Sequence, residues 1–121
     1  MVGALAAAAV FVGTGVIAPT ASADSNPSGC PQGYFCAYSK SDQKGSLLLK
    51  VDGKWSGSIK QVGSVFNNGV QYPGADHAYV TYAPGSGSNM TRCLHFNPGP
   101  GHKANISGST LKSVTWGGEC P

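Results

Sequence analysis

The apolar positions of this chain come in short runs, and the punctuation between them is dense. Residues 34–38, 46–51, 62–66, 77–82, 91–96 and 111–116 each hold alternating or continuous apolar side chains over the length of a strand. Asp52-Gly53, Asn67-Asn68-Gly69, Pro84-Gly85 and the run Asn97-Pro98-Gly99-Pro100-Gly101 stop four of them. Beyond residue 23 no stretch keeps apolar residues at helical spacing for three turns. Short strands at regular spacing predict an all-β sandwich. An internal echo supports two related halves: Val62-Gly63-Ser64-Val65 followed by Gly69 matches Leu111-Lys112-Ser113-Val114 followed by Gly118. Two such halves would build two Greek keys around one core.

Residues 1–23 change the picture at the amino terminus. They carry no charged side chain, an Ala/Val-rich run over 4–12, and the A-x-A site Ala21-Ser22-Ala23. This reads as a secretory signal peptide cut after Ala23. Gly13, Gly15 and Pro19 interrupt the run, which falls short of the ~20 apolar residues that span a bilayer. The expected mature chain starts at Asp24, has no membrane span and is extracellular. Residues 24–29 read as a loose, polar arm, and 30–121 as the single domain.

Composition narrows the function. Charged residues make up 11% of the 121, and the net charge of +3 comes from scattered lysines. That excludes a charge-rich coiled coil or tail. With no basic run, it argues against a nucleic-acid partner. Eighteen Gly and eight Pro leave a small core, which secreted domains of this size usually reinforce with cross-links. Cys30, Cys36, Cys93 and Cys120 allow three pairings. Cys30–Cys36 and Cys93–Cys120 is the preferred one. The first closes a tight loop around Pro31-Gln32-Gly33, and the second staples the C-terminus to an interior strand. On a chain-entropy model the two loops contribute roughly 2 and 3–4 kcal/mol. A zinc site is the weaker use of these cysteines, because there is no C-x2-C pair.

Cys30-Pro31-Gln32-Gly33-Tyr34-Phe35-Cys36-Ala37-Tyr38 resembles the Cys-Pro-x-Gly-x-x-Cys-x-Tyr opening of the Streptomyces metalloproteinase inhibitor family. Ser64-Val65-Phe66-Asn67-Asn68-Gly69 is similar to that family's next segment. Tyr82-Ala83-Pro84-Gly85 followed by Arg92-Cys93-Leu94-His95-Phe96 is similar to a third. The resemblance implies a βγ-crystallin-like fold and a secreted peptidase inhibitor. It also implies a reactive bond between Cys93 and Leu94, flanked by Met90, Thr91, Arg92 and His95. Leu94 would fill the pocket that thermolysin-type enzymes keep for a bulky apolar residue after the scissile bond. The bland alternative is a core leucine on a strand beside an ordinary staple. Two departures stand out. The next cysteine after Cys93 is Cys120, so no nearby cysteine clamps Leu94. In the first hairpin Gln43 occupies a position where such folds carry an aromatic residue, between Tyr38 and Gly45.

Other chemistry is sparse. There is no G-x-S-x-G elbow, and His77, His95 and His102 have no carboxylate at catalytic spacing, so no catalytic residue is assigned. His95 and His102 lie seven apart, and the ordinary reading of both is solvated surface. The segments 59–64 and 108–113, where βγ-crystallin-like domains place calcium ligands, contain no Asp or Asn. Hard cations favour oxygen ligands with carboxylates among them, so neither metal nor cofactor is expected. Three functions stay open: a monomeric inhibitor of an extracellular metalloprotease, a βγ-crystallin-like binding or structural module, and an antimicrobial killer-toxin-like domain.

Overall fold

The computed structural model describes residues 26–85 and 87–121. The expected signal peptide and its cleavage site lie outside them. The described chain is all-β apart from one 3-10 turn, Ser41–Gln43. Its strands are β1 (Phe35–Tyr38), β2 (Leu47–Val51), β3 (Trp55–Asn67), β4 (His77–Ala83), β5 (Met90–Leu94) and β6 (Lys103–Gly117). All pairings are antiparallel, in the order β2-β1-β3-β6-β4-β5.

The two long strands organise the rest. β3 and β6 pair from Trp55↔Val114 to Phe66↔Lys103 and form one extended ribbon. The β1–β2 hairpin attaches to the C-terminal half of β3, with Phe35↔Asn67 and Tyr38↔Ser64. The β4–β5 hairpin attaches to the C-terminal half of β6, with Val80↔Val114 and Ala78↔Trp116. Each half is therefore a hairpin followed by a long strand that crosses the molecule and returns beside the hairpin, which is a Greek key.

The ribbon does not lie flat. Its register slips three times between Ser56 and Ser64, and Gln61, Ser107 and Gly108 take positive φ. Bulges of this kind bend and twist a strand pair. In a flat sheet β1 and β4 would stand about 14 Å apart, three strand spacings. Instead Phe35 and Ala37 share one buried cluster with Ala78 and Val80. The continuous sheet thus folds over its own inner face, giving the two layers that the strand spacing predicts. The sequence echo falls on equivalent positions: Val62, Val65, Leu111 and Val114 are all fully buried in that cluster.

Each outer face is covered by one chain end and one disulfide. Cys30–Cys36 packs with Tyr38 and Phe66 in a second, smaller cluster. The described part of the N-terminal arm is tied down rather than loose: the Tyr38 hydroxyl donates to the Ser28 carbonyl, and Asn68 Nδ2 donates to Asn26 Oδ1. On the other face Cys93–Cys120 holds the C-terminal tail, and the Tyr79 hydroxyl shares its one hydrogen between the Gly118 and Glu119 carbonyls, both 2.9 Å away. Both disulfides match the preferred pairing, and among the described residues no cysteine is free. Gln43 replaces the missing aromatic contact with hydrogen bonds: its N–H donates to Ser64 Oγ and its side chain to the Val65 carbonyl.

The first hairpin crosses β3 where Gly63 has no side chain. A Cβ there would lie 2.5 Å from the backbone carbonyl carbon of Lys40 and 2.8 Å from the Ser39 oxygen. Backbone cannot rotate aside as a side chain can. Gly63→Ala is expected to cost about 1–3 kcal/mol, lowering the melting temperature by roughly 4–8 °C per kcal/mol. Gly53→Ala, where a Cβ meets nothing within 4 Å, serves as the control and should melt close to the parent. Equal melting of the two variants would contradict this packing.

Candidate functional site

β5 is an edge strand. Among the described residues it pairs only with β4, from Tyr82↔Met90 to Ala78↔Leu94, so its outer edge carries backbone groups with no strand partner there. Met90, Thr91 and Arg92 are exposed, and Cys93 and His95 are half-buried. Leu94 is different: it is 1% exposed and belongs to the core cluster. The six residues expected at a reactive bond thus sit on and just beyond one strand, but the Leu94 side chain points inward and Leu94 occupies no projecting segment.

No nearby cysteine clamps Leu94, but a buried amide does. Asn67, fully buried at the end of β3, donates from Nδ2 to the carbonyl of Leu94 at 2.9 Å and to that of Asp76 at 3.1 Å. Its Oδ1 accepts the Gly69 N–H, and its own N–H donates to the His102 carbonyl. One side chain therefore joins the ends of three segments. Asn68 continues the network, donating to the Cys30 carbonyl and accepting from Asn97 Nδ2. In the sequence Asn67-Asn68-Gly69 reads as turn punctuation, and only the fold reveals what the amides reach.

Beside β5 lies a buried polar pair that the sequence reading passed over. Asp76 accepts the Tyr72 N–H on Oδ2 at 2.8 Å and the His77 Nδ1–H on Oδ1 at 2.7 Å. His77 is 1% exposed and packs edge-on against the His95 ring at 4.5 Å. Its Nε2 makes no hydrogen bond among the described residues, and it stands 3.7 Å from Glu119 Oε1. No hydroxyl or thiol among the described residues is placed against the imidazole as nucleophilic catalysis needs. Among the described residues no group of three or more His, Cys, Asp or Glu side chains could hold a metal. The ring nitrogens of His95 and His102 are within hydrogen-bond distance of the Phe96 and Gly99 carbonyls.

Comparison with known proteins finds a family for the first part of the chain. Residues 23–73 match the family model Inhibitor_I36, peptidase inhibitor family I36. These residues belong to peptidase inhibitor family I36. No curated protein and no solved structure matches the chain. The I36 segment covers β1, β2 and β3, the first Greek key, and contains the Cys30-to-Tyr38 opening. At this level the match supports a peptidase inhibitor with a protease as its partner, rather than an enzyme. The β4–β5 hairpin lies beyond the matched segment. Two disulfides agree with the oxidising surroundings of an extracellular inhibitor. No described helix is long and apolar enough to cross a membrane.

Burial alone would push the Asp76 carboxyl up. The Tyr72 N–H, the His77 hydrogen bond and the charge of His77 outweigh it and hold the group below its ordinary value. A depressed folded value stabilises the protein above the unfolded carboxylate range, near pH 4, and that share is lost as pH falls through the folded value. The melting temperature is expected to drop on acidification below about pH 4. Asp76→Asn should lose about 1–3 kcal/mol at pH 7 and show a shallower acid decline. An unchanged acid decline in this variant would contradict the role given to Asp76.

Proposed function

We propose that this peptidase inhibitor is secreted and acts on an extracellular metalloprotease, presenting β5 in the protease cleft as a substrate-like strand. Membership of residues 23–73 in family I36 carries the reading. The edge position of β5 supports the mechanism, since protease clefts bind extended chain through backbone hydrogen bonds to a strand edge. Rigidity matters as much as shape, because a segment already ordered loses little entropy on binding. Three restraints supply it: pairing with β4, the Cys93–Cys120 staple and the Asn67 clamp on the Leu94 carbonyl.

The sequence resemblance put the reactive bond at Cys93–Leu94, with Leu94 in the apolar pocket. Burial of Leu94 moves that contact in our proposal to Met90, which is 51% exposed on the same strand. Thr91 and Arg92 follow it along the exposed edge. A flush strand at Leu94 is also what a βγ-crystallin-like binding module without a protease target would present.

Inhibition assays on thermolysin and subtilisin with the oxidised protein separate these readings. The proposal expects inhibition of thermolysin. It expects Met90→Asp to weaken it about tenfold or more, ~1.4 kcal/mol, with stability changed by less than ~0.5 kcal/mol. Leu94→Ala should instead destabilise the fold by about 2–5 kcal/mol and inhibit in proportion to the folded fraction. Full inhibition by Met90→Asp would place the active segment elsewhere. Inhibition of subtilisin alone would overturn the metalloprotease assignment, and inhibition of neither would favour the binding module.

A further inference from the structure

Away from β5, the loop joining the two Greek keys carries two of the few large apolar side chains the fold leaves exposed, Val70 at 49% and Tyr72 at 66%. They border a cleft of about 340 Å³ whose walls also include Asp52, Gly69 and Trp116. Among the described residues no basic side chain lines it. Both walls are held. The Trp116 indole N–H donates to the Gly53 carbonyl at 3.1 Å. The far edge of the ring lies over Gly69, where an added Cβ would come within 3.1 Å of it. The loop backbone is fixed through the Tyr72 N–H on the Asp76 carboxylate and the Ala75 N–H on the Tyr72 carbonyl.

We propose that this cleft is a binding site for an arginine side chain presented by a partner polypeptide. Two aromatic rings and one carboxylate share its walls. Aromatic faces attract cations, and a planar guanidinium can lie on a ring while pairing with a carboxylate through its fork of N–H donors. The fold already uses cation-on-ring contact next door: Lys50 Nζ sits 5.3 Å from the centre of the Tyr34 ring. Asp52, by contrast, takes part in none of the ion pairs found among the described residues. The protein carries a net charge of +3, so an acidic, aromatic recess free of lysine stands out from its surroundings. The site does not depend on the β5 proposal, and its test reads binding rather than inhibition.

The test is a titration of the 15N-labelled protein with the tripeptide Gly-Arg-Gly, following the indole N–H signals of Trp116 and Trp55. The site predicts a saturable shift of the Trp116 signal and none of Trp55. Gly-citrulline-Gly, which has the same shape without the charge, should leave Trp116 unmoved. Asp52→Asn and Tyr72→Ala, both at exposed positions, should each weaken binding severalfold while the rest of the spectrum stays native. Equal shifts with citrulline, a linear unsaturated response, or unchanged binding by Asp52→Asn would overturn the proposal. Tighter binding of tetramethylammonium than of the arginine peptide would also overturn it, in favour of a small quaternary ammonium ligand.

Discussion

The buried amide of Asn67 is the constraint on which the β4–β5 end of this molecule depends. A buried amide is tolerable only when its polar atoms are paired. Here each pairing crosses to a different segment: Leu94 at the end of β5, Asp76 at the start of β4 and Gly69 in the connecting loop. The net gain from one such bond is modest, about 1 kcal/mol, but losing the side chain strands two carbonyls and an N–H together. That asymmetry fixes the relative positions of the two Greek keys where they meet. The same corner sets the loop that carries Val70 and Tyr72, because Asp76 holds that loop through the Tyr72 N–H.

The bent β3–β6 ribbon supplies the frame. By crossing between layers it lets two hairpins of different sequence pack on one shared core. The terminal segments then close the outer faces, each locked by its own disulfide. A small all-β chain with so little charge gains from this arrangement, since among the described residues few large apolar side chains are left exposed. The cost falls on edge strand β5, whose unpaired backbone is an invitation to pair with another chain. In the function proposed for this protein, that exposure serves the partner protease.

Much of this was legible in the residues. Six runs predicted six strands, the Cys30-to-Tyr38 opening pointed to the inhibitor family, and the four cysteines pair as preferred. What stayed hidden has a physical pattern. The N-terminal halves of β3 and β6, Trp55 to Gln61 and Lys103 to Ser109, were not foreseen. These crossing segments show only one layer to the core, through single residues such as Ala104 and Ile106, and fill the other with Lys, Ser, Asn and Gly. Lys103-Ala104-Asn105-Ile106-Ser107 does alternate, with Ala104 and Ile106 buried, but one small and one β-branched residue make a weak signal beside the neighbouring glycines. Leu94 shows the opposite limit. Its motif was visible, yet whether a leucine after a cysteine faces a protease or the core depends on strand register, which local sequence does not encode. The reach of Asn67 across 27 residues to Leu94 is likewise a property of the folded corner alone.

The most direct test of the corner is native-state hydrogen exchange on Asn67→Ala. If Asn67 pins β5, the amides of β4 and β5 should lose protection by at least tenfold, equivalent to ~1.4 kcal/mol of local opening, while the β1–β2 hairpin keeps the protection set by the remaining global stability. A uniform loss across all strands, or none at β5, would contradict the account.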